Sequence, residues 1–148
     1  RRGGVTNPVV TMEGLVRTLA EGQMAWCILR GGSFVGPGTF QQSEIAKLKA
    51  GTLAVPCDGR NYVSLIHVED MAAAFAAALL CAPSGSIYNI VDEPLRNGDY
   101  LDRLADVTDS PRPPRAPQQP CPPSWRCSNA AARAALAWTP IHSLWPQP

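Results

Sequence analysis

Predicted helices and strands alternate along the chain, and this alternation limits the fold more than any other feature of the sequence. Apolar periodicity and helix-capping residues predict helices over residues 6–22, 41–51, 69–82, 97–108 and 128–138. Apolar runs between them predict strands over residues 24–30, 52–57, 62–68 and 86–91. No two-residue hairpin signal joins consecutive strands, so the connections favour crossovers between parallel strands. The chain is therefore predicted to adopt an α/β fold with parallel strands.

Composition and charge exclude several classes of protein. The chain has 148 residues, of which 45% are hydrophobic and 17% charged, which is typical of a globular domain. Its formal net charge of +1 provides no overall field that would attract nucleic acid or an anionic membrane. No apolar run reaches the roughly 18 residues of a membrane-spanning helix. We expect a cytoplasmic protein without nucleic-acid or membrane partners, and the sequence leaves homo-oligomer formation open.

The cysteines point to neither a metal site nor a disulfide framework. There are five of them, and no two are spaced as Cys-x-x-Cys. Zinc sites normally use such closely spaced pairs, and disulfide frameworks normally use an even number. All five are therefore predicted to be reduced thiols, and no metal ligand is assigned.

Two predicted helices carry apolar stripes. In the helix over 6–22, which Thr6 or Asn7 can cap, i, i+3, i+4, i+7 spacing predicts a buried stripe of Met12, Leu15, Val16 and Leu19. The helix over 97–108 is predicted to turn Tyr100, Leu101, Leu104 and Ala105 inward. Later in the chain, residues 111–123 contain seven prolines, which exclude helix and interior strand and predict an extended connector.

Residues 28–40 read ILRGGSFVGPGTF, a glycine-rich segment at the end of a predicted strand. Ligands of open α/β sheets bind beyond the carboxyl ends of strands, and Gly31 and Gly32 would let a flat ligand approach the backbone. Gly36, Pro37 and Gly38 predict a sharp turn. The spacing matches neither Gly-x-Gly-x-x-Gly nor a P-loop, so these residues alone leave open a ligand cradle or a simple connector.

Ser64, His67 and Asp70 are the residue types of a catalytic triad, but their spacing argues against one. Within a strand over 62–68, the side chains of Ser64 and His67 point to opposite faces, and Asp70 falls in the next helix. His67 is therefore predicted to be a strand-end histidine with a local hydrogen bond.

Four segments carry a resemblance when they are taken together and in order: WCILRGGSFVGPGT, SLIHVEDMAAAFAAAL, GSIYNIVDEP and SNAAARAALAWTP. Over residues 8–140 the chain resembles the C-terminal part of the NAD-dependent epimerase/dehydratase family, the extended short-chain dehydrogenases/reductases. The resemblance implies the C-terminal portion of a Rossmann-type NAD(P)-binding fold with a small substrate-binding lobe. Residues 1–40 would supply the last helix and strand of the Rossmann half with the active-site loop. Residues 41–148 would supply substrate-lobe elements, a returning strand and helix, the connector 111–123 and the terminal helix.

The resemblance also implies roles for the glycine-rich segment. Gly31 and Gly32 would border the nicotinamide of NAD or NADP, while Ser33 and Phe34 would face a small-molecule substrate. The family's phosphate-binding Gly-x-x-Gly-x-x-Gly has no match in this chain.

Other departures from the family pattern limit what can be carried over. Counting back from Glu13, the family's catalytic Tyr-x-x-x-Lys falls on Val5 and Val9, neither of which can transfer a proton. No catalytic residue is therefore assigned. The arginine that binds the diphosphate of nucleotide sugars in relatives falls on Val63, so a nucleotide-sugar substrate is not expected.

Three functions remain open at this point. The first is the C-terminal part of an NAD(P)-dependent oxidoreductase, epimerase or dehydratase acting on a small carbonyl or hydroxyl compound. The second is a non-catalytic relative that binds a nucleotide or a partner, since the family's tyrosine and lysine are replaced. The third is an incomplete, inactive fragment whose exposed sheet edge drives association. The chain alone is expected to be inactive.

Overall fold

A computed structural model describes residues 7–142. The helices are α1 (Pro8–Ala20), α2 (Gln41–Lys49), α3 (Val68–Cys81), α4 (Asn97–Val107) and α5 (Ala130–Leu136). The strands are β1 (Cys27–Gly31), β2 (Ser33–Val35), β3 (Val55–Pro56), β4 (Tyr62–Val63), β5 (Leu65–His67), β6 (Ser86–Ile90), β7 (Leu95–Arg96) and β8 (Arg115–Ala116). None of the helices within residues 7–142 has the length and apolar character needed to cross a membrane.

The chain changes strand partner at Gly32. Strands β1 and β6 run parallel and end with Gly31 opposite Ile90, whereas β2 and β5 run parallel from Ser33 opposite Leu65. Between the pairs, the Gly32 N–H donates to the carbonyl of Ile90 at 3.1 Å. These parallel strands, joined through helices, confirm the predicted α/β architecture.

Part of the predicted glycine-rich loop is a strand. The sequence predicts that the chain leaves the sheet after residue 30, but Ser33–Val35 form β2 and pair with β5. The turn begins only at Gly36, where φ is +106°, and Gly38 follows with φ of +76°. Positive φ favours glycine, so the predicted Gly-Pro-Gly turn is correct.

Two apolar cores lie on opposite faces of β5, because neighbouring strand residues point to opposite sides. The core on the side of Leu65 contains Val35, Leu48, Val55, Leu65, Tyr100, Leu101, Leu104 and Ala105. The core on the side of Ile66 contains Ile66, Met71, Ala74, Tyr88, Ile90, Ala132, Leu136 and Trp138. The predicted inward face of α4 is therefore confirmed.

Helix α1 begins as the sequence predicts. Asn7 is its N-cap, and the Asn7 side chain accepts a hydrogen bond from the N–H of Val9 at 3.0 Å. Pro8 occupies the first turn, where its missing N–H costs no helical hydrogen bond. Farther along, Glu13 anchors the helix to β1, because the Arg30 guanidinium donates to both Glu13 carboxylate oxygens at 2.8 and 2.7 Å.

The predicted buried stripe of α1 is wrong for the part of the chain that the structure describes. The side chains of Met12, Leu15, Val16 and Leu19 are 36% to 66% exposed. The buried residues of this helix are Glu13 and Ala20 instead. Helical periodicity identifies an apolar face but not the surface that covers it, and no element within residues 7–142 covers this one.

The prediction that all five cysteines are reduced is also wrong. Cys57 and Cys121 form a disulfide with a Cα–Cα distance of 5.0 Å, while Cys27, Cys81 and Cys127 are free. An odd number of cysteines does not exclude a bond between two of them, and the folded chain brings these two together across a sequence separation of 64 residues.

The disulfide fastens the proline-rich connector to the rest of the fold. Beside it, β8 pairs in parallel with β3, and Arg115 forms a bidentate ion pair with Asp102 of α4 at 2.8 and 2.7 Å. Farther along, the Trp125 N–H donates to the carbonyl of Tyr62 at 2.9 Å. The connector contains no helix, as predicted, but it is extended only in part, because residues 117–119 form a turn; the connector is held against β3 and α4, and Trp125 beyond it is held against β4.

Replacing Cys121 by serine is expected to lower the free energy of unfolding by about 4 kcal/mol, because the disulfide closes a long loop in the unfolded chain. Urea unfolding followed by circular dichroism, in the presence and absence of a reductant, measures the effect. Cys81→Ser is the matched control, since Cys81 is exposed and free. Equal stability of Cys121→Ser and the unreduced parent chain would show that the disulfide does not form.

Candidate functional site

A cavity of about 670 Å³ opens beside the segment that follows Gly32. Its walls come mainly from β2, the turn after it, α2, and the starts of α3 and α4. The lining residues are Ser33, Phe34, Val35, Gly38, Thr39, Phe40, Gln41, Glu44, Val63, Leu65, Val68, Asn97 and Tyr100. Both residues that the sequence assigns to substrate, Ser33 and Phe34, are therefore in its wall.

The wall of this cavity is apolar with a few polar groups, and its charge is acidic. None of the described residues that line it is arginine, lysine or histidine. Glu44 is the acidic residue among them. An anionic ligand would therefore meet no cationic side chain here, whereas a neutral or cationic ligand would meet no repulsion.

A directed chain of hydrogen bonds crosses one wall of the cavity. The N–H of Gly36 donates to Oε1 of Gln41 at 3.0 Å, which fixes the orientation of the Gln41 amide. The Gln41 Nε2 then donates to the Tyr100 hydroxyl at 3.3 Å, and this hydroxyl donates to Oε2 of Glu44 at 2.7 Å. Because a backbone N–H can only donate, the first bond fixes the direction of the second, and the third runs from Tyr100 to Glu44 because an ionised carboxylate can only accept.

Burial controls the ionisation of Tyr100 and Glu44, the last two groups in this series of hydrogen bonds. Burial raises the pKa of Glu44, although the hydrogen bond from Tyr100 and the charge of Lys47 oppose the shift. Burial, followed by the hydrogen bond to Glu44, raises the pKa of the Tyr100 hydroxyl. Tyr100, only 6% exposed, therefore keeps its proton at neutral pH and acts as a fixed donor.

The structure gives Gly31 and Gly32 different roles. A Cβ at Gly31 would come 3.2 Å from Cζ of Phe34, a side chain that can move. A Cβ at Gly32 would overlap the carbonyl group of Ser64, with 2.9 Å to its carbon, and would crowd Val91. Glycine is thus required at position 32 by packing of the sheet itself, whether or not a cofactor lies beside it.

His67 ends β5 and packs against the turn of the glycine-rich segment. Its Nδ1 accepts a hydrogen bond from the N–H of Glu69 at 3.3 Å, which confirms the predicted local hydrogen bond. A Cβ at Gly36 would lie 2.6 Å from Nε2 of His67. The ring therefore fits only because Gly36 has no side chain.

Asp70 holds the C-terminal segment instead of forming a triad. Its carboxylate, 2% exposed, accepts hydrogen bonds from the backbone N–H groups of Ile141 and His142, each at 3.0 Å. Nδ1 of His142 lies 3.0 Å from Oδ1 of the same carboxylate. Meanwhile the Ser64 hydroxyl donates to the carbonyl of Trp125 at 3.0 Å, away from His67.

The contact between Asp70 and His142 is the functional-looking pair that sequence reasoning missed. The two residues are 72 positions apart, and no local pattern links them. The available signal was Asp70 itself, an acidic residue in the first turn of an alanine-rich helix where a carboxylate can satisfy free N–H groups.

His67, Glu69 and His142 lie close enough to hold a metal ion, with their ligand atoms within 4.8 Å of one another. Hydrogen bonding and ring stacking already account for the arrangement. His142 Nε2 is 2.9 Å from a Glu69 oxygen, and the two imidazole rings stack with centroids 4.4 Å apart. Stacked rings direct their nitrogen lone pairs along parallel planes, so we assign the cluster to docking of the C-terminal segment.

The structure describes one of the two positions at which the family carries its catalytic tyrosine and lysine. Val9 lies in the first turn of α1 with an exposed hydrocarbon side chain. Val5 falls outside the described residues.

Replacing Gly32 by alanine is expected to destabilise the fold by about 1–3 kcal/mol, because the added methyl group overlaps the Ser64 carbonyl group. Gly31→Ala is the matched control and should cost much less, since only the movable Phe34 ring must yield. Urea unfolding of both variants gives the comparison. Equal stability of the two would contradict the packing role of Gly32.

The docking of the C-terminal segment should depend on pH. The hydrogen bond with Asp70 raises the pKa of His142 above its ordinary value of 6.5, against the opposing effect of burial. Stability from this contact is therefore fully present below the unfolded pKa and is lost as pH rises through the raised folded pKa. An NMR titration of the His142 ring should show the raised pKa, and Asp70→Asn should reduce the shift to the smaller effect of Glu69, while Asp109→Asn leaves the shift unchanged. An unshifted His142 in the parent chain would refute the contact.

The chain is similar to known proteins in sequence as well as in fold. The model of the NAD dependent epimerase/dehydratase family matches residues 10–91, more than half of the chain. A 3-diazoavenalumate denitrifying reductase from Streptomyces sp. is 30% identical over 146 residues, covering 88% of this chain and 48% of the reductase.

Solved structures show the same fold at low sequence identity. RMD from Pseudomonas aeruginosa complexed with NADPH superimposes with a TM-score of 0.70 at 20% identity, covering 90% of this chain and 49% of that one. UDP-glucose 4-epimerase with UDP-glucose from Thermotoga maritima gives 0.76 at 17% identity, covering 91% and 47%. The chain thus spans about half the length of these relatives. On the family match and the parallel architecture together, the chain belongs to the NAD-dependent epimerase/dehydratase family.

Proposed function

We propose that this chain forms the substrate-facing half of an NAD(P)-dependent enzyme that reduces, oxidises or epimerises a small, non-nucleotide substrate. Residues 1–40 would contribute the last helix and strand of the nucleotide-binding half. Residues 41–148 would contribute the substrate lobe. The observation that carries the proposal is the cavity of about 670 Å³ whose wall begins directly after Gly31 and Gly32.

The cofactor assignment rests on position and on relatives. Ser33 and Phe34 line the cavity and follow the two glycines without a break. Relatives with this fold have been solved with NADPH and with NAD. A nicotinamide beside Gly31 would therefore face the same cavity as the substrate, and the cofactor would supply the hydride while this chain orients the substrate.

The charge of the cavity wall disfavours a nucleotide-sugar substrate. Val63, at the position where nucleotide-sugar relatives carry an arginine, lines the cavity. The nearby Arg60 side chain is 84% exposed, pairs with Asp58 at 3.6 Å and is not among the lining residues. A diphosphate would enter this cavity without a cation to neutralise it, which is costly in a partly buried site.

The exposed apolar face of α1 indicates that another part of the enzyme packs against this helix. Its stripe of Met12, Leu15, Val16 and Leu19 forms an apolar surface that natural monomers seldom leave uncovered. In the proposed enzyme this surface contacts the nucleotide-binding half or a second subunit.

A second candidate function is a binding protein without turnover. It is favoured by Val9, which stands where the family carries its catalytic lysine and has no group that could transfer a proton. The two candidates share the cavity and the cofactor position but differ in hydride transfer.

Fusing the chain to the nucleotide-binding half of the Streptomyces reductase tests the proposal. The fusion is expected to bind NADPH at micromolar concentration, whereas the chain alone should show no measurable binding, because the phosphate-binding glycines lie outside it. Isothermal titration calorimetry measures both. Gly31→Leu in the fusion should weaken binding, and Ala46→Leu, at an exposed position of α2, is the matched control.

Micromolar binding of NADPH by the chain alone would overturn this division of labour. Loss of NADPH absorbance with a panel of small aldehydes and ketones then separates the two candidates. Turnover supports the enzyme, and tight binding without turnover supports the binding protein.

A further inference from the structure

We propose that Glu44 makes the cavity prefer small molecules that carry a hydroxyl or amino hydrogen-bond donor over molecules of equal size that lack one. The inference deepens the proposed function, because it assumes that this cavity is where the substrate binds. It concerns the chemistry of one wall and not the identity of the cofactor.

The first step is the direction of the hydrogen bonds. Gly36, Gln41 and Tyr100 each pass a donor toward the next group, and the last donor, the Tyr100 hydroxyl, is received by Oε2 of Glu44. The hydrogen bond from Tyr100 thereby fixes the orientation of the Glu44 carboxylate, and Tyr100 is itself held by Gln41. A fixed acceptor discriminates better than a side chain that can rotate away.

The second step is the free oxygen. Among the described residues, Oε1 of Glu44 accepts no hydrogen bond, although Oε2 is paired with Tyr100. Glu44 is half-buried and lines the cavity, so its unpaired oxygen is available to a ligand there. An ionised carboxylate has lone pairs but no proton, and it can therefore only accept.

The third step is that no cationic side chain among the described lining residues competes with Glu44, since Ser33 and Asn97, which can also donate hydrogen bonds, are neutral. Lys47, one turn later on α2, reduces the pKa shift of Glu44 through its charge, but its ammonium group lies over the Phe40 ring at 5.5 Å and is not part of the lining. The hydroxyl of Thr39 already donates to the carbonyl of Gly36 at 2.7 Å. The strongest polar group offered to a ligand is thus an acceptor.

These features predict the sign of selectivity. A ligand with a hydroxyl group displaces solvent from the carboxylate and replaces the lost hydrogen bond with its own. A methyl ether of the same shape displaces the solvent and leaves the carboxylate oxygen unpaired, which costs the full desolvation of that group. A ligand carboxylate would be repelled by Glu44.

The experiment uses phenol, anisole and benzoate as probes of the whole chain at neutral pH. Amide chemical shifts of Thr39 and Asn97, which line the cavity, report binding in nitrogen-15 NMR titrations. Phenol is expected to bind at least about tenfold more tightly than anisole, the lower end of what one hydrogen bond to a charged group contributes, and benzoate is expected not to bind.

Glu44→Gln is the informative variant. The Tyr100 hydroxyl still needs an oxygen acceptor, so the amide oxygen of the new side chain should face Tyr100 and its NH₂ group should face the cavity. The preference for phenol over anisole is then expected to disappear or reverse. Glu21→Gln, at an exposed position after α1, is the matched control and should leave the preference unchanged.

The outcomes separate this inference from the function on which it rests. If none of the probes shifts the cavity amides, the cavity is not a binding site and the proposed function loses its main support. If phenol and anisole bind equally to the parent chain, the role of Glu44 is overturned while the cavity stands. That second comparison needs no variant, so a folding defect in Glu44→Gln cannot hide the result.

Discussion

The close approach of Gly32 to the Ser64 carbonyl group is the constraint on which the rest of this structure depends. At that point the chain leaves its pairing with β6 and begins its pairing with β5, and no side chain fits between the two backbones. Two parallel pairs thereby become neighbours. Because Gly32 contacts the backbone of Ser64, packing alone requires glycine at this position. A ligand that approached the backbone at Gly32 would add a second reason for glycine.

The crossing also decides what lies around the cavity. Because the chain continues as β2 and does not leave the sheet, Ser33 and Phe34 lie on a strand that is paired with β5. The same path places Gly36 where its N–H donates to the Gln41 side chain and orients it. The absence of a Cβ at Gly36 in turn makes room for the His67 ring. One face of the turn thus organises the cavity, while the other supports the cluster that docks the C-terminal segment.

Local patterns predicted what depends on local physics. The alternation of elements, the cap at Asn7 and the inward face of α4 follow from periodicity and capping chemistry, which a single sequence contains. The Cys57–Cys121 bond and the contact of Asp70 with His142 join residues 64 and 72 positions apart, and nothing nearby in the sequence specifies such partners. The hydrogen bonds that join Gln41, Tyr100 and Glu44 were not predicted for the same reason, because Tyr100 is far from the other two residues in the sequence.

Proton transfer and hydride transfer make separate demands on such a site. A hydride moves between the nicotinamide and the substrate carbon, so this chain need only hold the two in register, a task that the wall formed by Ser33 and Phe34 can share. The accompanying proton needs a group that can release it near neutral pH. Val9 cannot, and burial raises the pKa of Tyr100 away from that range. If the proposed enzyme turns over, its proton must therefore come from another group in the cavity wall such as Glu44, from solvent, from the substrate, or from a group outside residues 7–142, whereas the binding protein needs no such source.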